Sequence, residues 1–195
     1  MEPCNKDQSI LLTFDVEEWF QVENLRSRYP PATWSTCELR VRQSVHTLLD
    51  ILDSCKSGGS VMGKRLSHGS NMPGISPQNR RERISGPKAT FFFLAWVARR
   101  FPRLVQEVHE RGHEVASHGC NHMLLSQMSS SQIFQDLYES KQILEDITGS
   151  PVLGYRAPSF SIALDHFDLL EKAGYAYDSS YNSFALHKRY GRLDL

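Results

Sequence analysis

The sequence lacks any run of about 18 apolar residues, the length that a membrane-spanning helix requires. It also lacks an excess of charge of one sign, because 22 lysines and arginines balance 22 aspartates and glutamates. A balanced chain creates no overall field that would attract nucleic acid or an anionic membrane. These absences predict a protein with neither a membrane span nor a nucleic-acid partner.

Cysteine is scarce, and its four positions are scattered: Cys4, Cys37, Cys55 and Cys120. No two of them have the C-x-x-C spacing, which argues against a disulfide scaffold and against a structural zinc knuckle. The first residues also lack the basic stretch followed by an apolar stretch that is typical of a secretory signal. We therefore predict a cytoplasmic protein with reduced thiols.

Stretches typical of strands alternate with stretches typical of helices along the chain. Short β-forming runs predict strands at residues 9–14, 89–95, 113–118, 151–155 and 175–178. Amphipathic periodicity predicts helices at residues 36–55, 102–112, 129–149 and 164–172. Such alternation is typical of parallel sheets with crossover helices. We therefore predict a single α/β domain over residues 1–195.

Residues 56–87 interrupt this alternation with a segment that is rich in glycine and serine and has almost no apolar periodicity. A loop of this length is unusual inside a compact domain. We predict a disordered insertion here. Its basic residues leave nucleic-acid binding as a weak alternative, because no aromatic residues are interleaved with them.

Side chains able to bind a metal follow several of the predicted strands. Asp15 and Glu17 come after the first strand, and strand alternation places positions i and i+2 on one face. His118 and His122 follow a later strand at a spacing that allows two imidazoles to meet one cation. Arg156 follows the next strand, where a guanidinium can pair with a carboxylate. Because catalytic groups collect at the C-terminal ends of βα strands, the sequence predicts one metal site with a general base beside it.

Each of these signals also has a plain structural interpretation. The carboxylates could cap a helix or be solvated, Glu18 could replace Glu17, and the arginine could form an ordinary surface ion pair. Cys120 could be a further ligand, although two histidines already fit the spacing. Tyr155 and Phe160 could line a pocket or pack in the core, which is the commoner place for aromatic residues. The joint order of the three motifs is more specific than any one of them.

Three motifs resemble those of a known family. Thr13-Phe14-Asp15-Val16-Glu17 loosely matches the first, Ser117-His118-Gly119-Cys120-Asn121-His122 the second, and Arg156-Ala157-Pro158-Ser159-Phe160 the third. By these motifs the chain resembles the polysaccharide deacetylases of carbohydrate esterase family 4, the NodB homology domain. It is most similar to the bacterial branch that has Asp-Val-Glu in the first motif and occurs with exopolysaccharide and exosortase systems. The resemblance covers about residues 9–58 and 88–192.

The resemblance implies a distorted (β/α) barrel that removes N-acetyl groups from a GlcNAc-containing polysaccharide or oligosaccharide. It implies that Glu17, His118 and His122 hold a divalent metal, with Zn²⁺ as the expected ion. It also implies that Asp15 is the general base and that Arg156 orients it. The candidate substrate-binding residues are Tyr155, Pro158 and Phe160.

Relatives carry a later Leu-x-His segment whose histidine acts as a general acid. No such segment follows Asp178, and His187 lies in a different context. We therefore expect a barrel that is incomplete at the C-terminus. Two alternatives stay open: a catalytically impaired relative that binds metal and glycan, and a hydrolase of the same family that acts on a small amide.

Overall fold

The computed structural model describes residues 10–55 and 86–181. The strands are β1 (Leu12–Val16), β2 (Ala89–Phe93), β3 (Glu114–Ser117), β4 (Gly154–Tyr155) and β5 (Tyr177–Asp178). The helices are α1 (Val41–Ser54), α2 (Ala95–Arg100), α3 (Pro102–Glu110), α4 (Ser130–Thr148) and α5 (Phe167–Ala173). Nearly all of the expected insertion, and His187, lie outside the described ranges. Within those ranges, no helix combines the length and the apolar character needed to cross a membrane.

The strands form one parallel sheet in the order β1-β2-β3-β4-β5. Val16 is paired with Phe93, Phe93 with Ser117, and Ser117 with Tyr155, so the C-terminal ends of four strands are level. The residues that follow these strands therefore emerge at one edge of the sheet. This arrangement confirms the predicted α/β class and brings the three motifs together.

The sheet is strongly curved. In a flat sheet β1 and β4 would be separated by three spacings of about 4.8 Å each. The side chain of Arg156, at the end of β4, nevertheless donates hydrogen bonds to Thr13 and Asp15 of β1 and to Ser179 beyond β5. Both sides of the sheet therefore bend towards one concave face, on which the arginine lies.

Strand alternation divides the side chains of β2 between the two faces of the sheet. Phe91 and Phe93 belong to the hydrophobic core that the helices cover, together with Val45 and Leu49 of α1. Phe92 is equally buried but lies beneath the guanidinium of Arg156 on the concave face. The core thus supports the sheet from the helical side and leaves the concave face for polar groups.

Some predicted boundaries are wrong. Residues 94 and 95 were expected in a strand, but β2 ends at Phe93 and α2 begins at Ala95. A helix of six residues is too short to show a periodicity in the sequence. The strands β4 and β5 are also shorter than predicted, with two residues each.

Candidate functional site

Glu17, His118 and His122 form a compact group of potential metal ligands. Their ligand atoms all lie within 4.8 Å of one another. Both imidazoles are buried, and 2.9 Å separates His122 Nε2 from Glu17 Oε2. This contact does not have the geometry of a hydrogen bond. Glu17 Oε2 and His122 Nδ1 are therefore both buried without a hydrogen-bond partner among the residues that the structure describes. Because buried polar atoms normally have partners, this donor set fits a cation bound between the three side chains.

The backbone fixes the tautomer of His118. Its Nδ1 lies 2.8 Å from the carbonyl oxygen of Arg156, which can only accept a hydrogen bond. Nδ1 therefore carries the proton, and the lone pair is on Nε2. Burial lowers the pKa of His118, which favours the neutral imidazole that a metal requires. The third motif thus orients a ligand of the second.

Glu17 and Glu18 have different partners, which the sequence left open. The fully buried carboxylate of Glu18 accepts hydrogen bonds from the backbone N–H of Arg40, at 2.9 and 3.0 Å, and of Val41, at 3.1 Å. A negative charge at the start of α1 satisfies N–H groups that have no partner within the helix. Glu18 is therefore a helix cap from a distant loop, and Glu17 is the carboxylate that approaches the histidines.

Asp15 is held by Arg156. The guanidinium Nη1 donates to Asp15 Oδ1 at 2.8 Å. Nη2 donates to Thr13 Oγ1 at 3.1 Å and to Ser179 Oγ at 2.8 Å, and Nε donates to the Ser179 carbonyl at 3.1 Å. The guanidinium carbon lies 4.1 Å from the ring centroid of Phe92. These contacts fix one carboxylate oxygen of Asp15 and leave Oδ2 without a hydrogen bond inside the described ranges.

The potential metal ligands and Asp15 line the same cleft, which has a volume of about 290 Å³. It is lined by Asp15, Glu17, Val22, Glu23, Asn24, His118, His122, Ser159 and Phe160. Sequence reasoning missed Val22, Glu23 and Asn24, because they lie at a short 3-10 turn outside the three motifs. It also missed Ser159, which lies within the third motif but has no expected chemical role there. Ser159, Phe160 and His122 adopt left-handed backbone conformations, with φ of 49°, 55° and 52°. Such backbone conformations are costly in residues other than glycine and cluster at functional sites.

The three candidate substrate-binding residues lie in different places. Phe160 lines the cleft, as expected for a substrate contact. Tyr155 is fully buried and packs against Tyr175, with ring centroids 5.3 Å apart. Pro158 is also buried, and neither it nor Tyr155 is among the residues that line the cleft. The structure therefore brings only Phe160 of this set to the metal ligands.

Comparisons with known proteins agree with these motifs. A family model described as polysaccharide deacetylase matches residues 84–177. The peptidoglycan-N-acetylglucosamine deacetylase of Bacillus cereus is 33% identical over 88 residues, which are 45% of this chain and 41% of that protein. The peptidoglycan deacetylase of Helicobacter pylori is 32% identical over 92 residues, which are 47% of this chain and 31% of that protein. The chain thus matches less than half the length of either relative.

A solved structure shares the fold. A Mycobacterium smegmatis protein described as a polysaccharide deacetylase superposes with a TM-score of 0.61 at 24% identity. The superposition covers 87% of this chain and 50% of that one. The family model includes the second and third motifs, and the superposition agrees with the predicted fold class. The predicted resemblance to the polysaccharide deacetylases of carbohydrate esterase family 4 is therefore confirmed, and the match to the family model extends over residues 84–177.

Proposed function

We propose that this protein is a metal-dependent deacetylase that hydrolyses N-acetyl groups of a GlcNAc-containing polysaccharide or oligosaccharide. One observation carries the proposal: the Glu17, His118 and His122 group shares a cleft with Asp15, which pairs with Arg156. The substrate class is supported by the relatives, two of which are named as peptidoglycan deacetylases.

The donor set favours a catalytic metal site over a structural one. Two imidazoles and one carboxylate supply three ligands, and catalytic zinc sites keep a fourth position for water or substrate. We propose Zn²⁺, although the same ligands also suit other divalent transition metals. A bound divalent ion would polarise the acetyl carbonyl and lower the pKa of a bound water.

The residues of the chain perform the other steps. Asp15 takes the proton from the attacking water through Oδ2, while Arg156 holds Oδ1 and so fixes the direction of the free oxygen. The backbone carbonyl of Arg156 keeps the lone pair of His118 on Nε2. Phe160 forms an apolar wall of the cleft on which a sugar ring can rest. The products are acetate and a free amine.

Metal analysis combined with an acetate-release assay tests this proposal. The parent chain is expected to bind about one equivalent of metal, and His118→Ala combined with His122→Ala to bind far less, because a three-ligand site loses most of its donors. His109→Ala is the matched control, since this residue lies on α3 and contacts Ser150, outside the cleft. Unchanged metal content in the double variant would overturn the metal site.

Asp15→Asn tests the base separately from the metal. We expect acetate release from N-acetylglucosamine oligomers to fall by about 10²–10⁴-fold with metal still bound. Loss of metal in this variant would make Asp15 a ligand instead. Metal binding by the parent chain without acetate release would favour a glycan-binding relative, and release from small amides alone would favour a small-amide hydrolase. The cytoplasmic location stays a prediction.

A further inference from the structure

We infer that Asp136 is a positioning residue, which holds the loop between the two histidines in the conformation that brings both of them to one metal. The inference rests on the proposed metal site, but it concerns a residue of α4 that lies outside the group of potential ligands. It assigns a function to a carboxylate that neither the motifs nor the cleft include.

The carboxylate of Asp136 contacts the centre of this loop. Its Oδ1 and Oδ2 accept hydrogen bonds from the backbone N–H of Cys120, at 3.2 and 3.1 Å. The Cys120 thiol donates to the Asp136 carbonyl at 3.5 Å, so this side chain turns towards α4 and is not a fourth ligand. Cys120 lies midway between His118 and His122 in the sequence. The hydrogen bonds from its N–H to Asp136 therefore restrain the backbone that leads to each histidine.

A second helix holds the other side of the same peptide units. The backbone N–H groups of Ala95 and Trp96, at the start of α2, donate to the carbonyls of Gly119, at 2.9 Å, and of Cys120, at 3.1 Å. The loop is thus fixed through its carbonyls by α2 and through the Cys120 N–H by α4. Among these contacts, the one to Asp136 is made by a side chain and can be removed by substitution.

Gly119 shows how closely the carboxylate approaches the loop. The backbone at Gly119 has a φ of +78°, and a Cβ at this position would lie 2.7 Å from Asp136 Oδ2. A side chain here would be strained and would also displace the carboxylate. Glycine therefore permits the left-handed turn after His118 and the contact with Asp136 at once.

The burial of the Asp136 carboxylate has a cost in free energy. Burial raises its pKa to about 6, so its ionised form is disfavoured by the surroundings. A buried carboxylate adds little to the stability of the fold. We therefore explain its contact with Cys120 by the positioning of the loop between His118 and His122. The backbone of His122 has a left-handed φ of 52°, and the loop must hold the residue in this costly conformation.

Two readouts in the full chain test the inference. The first is metal affinity, measured by competition with a chromophoric chelator, together with the visible spectrum of the Co²⁺-loaded protein. We expect Asp136→Ala to weaken binding by about 10–100-fold and to change the Co²⁺ spectrum, as losses beyond the ligands themselves commonly do. The second is hydrogen exchange of the Cys120 amide in the metal-free protein, which Asp136→Ala should accelerate.

Asp136→Asn is the conservative variant, because its amide oxygen can still accept the Cys120 N–H, and it should restore most of the affinity and the parent spectrum. Asp146→Ala is the matched control, since Asp146 is an exposed aspartate on the same helix. If Asp136→Ala does not fold, Asp136→Ser, whose shorter side chain cannot reach Cys120, replaces it.

The outcomes separate the two proposals. A folded Asp136→Ala or Asp136→Ser protein with the parent affinity, spectrum and exchange rate would overturn the positioning function and leave the metal site intact. Equal weakening in Asp146→Ala would overturn it as well, because the effect would then be general to α4. A parent chain that binds no metal would overturn the proposed function and this inference together.

Discussion

Arg156→Lys should destabilise the protein much more than a conservative change of one basic residue normally does. The guanidinium of Arg156 donates four hydrogen bonds, to Asp15, to Thr13 and to two oxygens of Ser179. It does so with only 11% of its side chain exposed, above the ring of Phe92. A lysine keeps the charge but has a single nitrogen, which cannot reach all these acceptors at once.

The expected magnitude follows from the hydrogen bonds that a lysine cannot make. Hydrogen bonds to a charged group contribute about 1.5–3 kcal/mol each, but those of one side chain are not additive. Lysine can keep one of them, and Asp15, whose side chain is 31% exposed, can recover water. We therefore expect the free energy of unfolding to fall by about 2–4 kcal/mol. Acetate release should also fall, because Asp15 loses its fixed orientation, while the metal ligands are unchanged.

Equilibrium urea unfolding of the metal-free chain measures this decrease. Arg99→Lys is the matched control, because Arg99 pairs with Glu139 on the surface and the two side chains are 50% and 41% exposed. Exposed pairs contribute at most about 1 kcal/mol, so the control should change little. Equal decreases in the two variants would refute the view that Arg156 joins β1 to the end of β5.

Three further changes have distinct expected results. Glu18→Gln should lower the free energy of unfolding in urea by about 1–2 kcal/mol, because the start of α1 loses a charged cap. Elemental analysis of this variant should show unchanged metal content, and loss of metal would make Glu18 a ligand. Gly119→Ala should cost about 1–3 kcal/mol, since alanine meets both the positive φ and Asp136 Oδ2, and a thermal midpoint equal to that of the parent chain would contradict this. Because the pKa of Asp136 is raised from 3.8 to about 6, the folded state retains this proton where the unfolded state has lost it. The contribution of Asp136 to the free energy of unfolding should therefore decrease as the pH rises through that interval. Asp136→Asn should remove this part of the pH dependence between pH values of about 4 and 6.5, measured by urea unfolding. Parallel pH profiles of parent and variant would rule this out.

The α/β class and the grouping of the motifs were accessible from the sequence because both depend on local patterns. Strand and helix periodicities identify βα units, and parallel βα units place their strand ends at one edge of a sheet. Asp15 and Arg156, which are 141 positions apart, could therefore be predicted to meet. The same rule brought His118 and His122 to the carboxylates, and the motifs also predicted the family.

Only the tertiary structure decided which residue each remaining side chain contacts. Glu17 and Glu18 are neighbours of the same type, and they differ because the chain folds the backbone N–H groups of Arg40 and Val41 onto one of them. Tyr155 precedes Arg156, yet its side chain is buried in the core against Tyr175. Asp136 carries no motif, and its contact with Cys120 depends on how α4 packs against β3. Periodicity determines the face on which a residue lies, whereas packing between distant elements determines what it contacts.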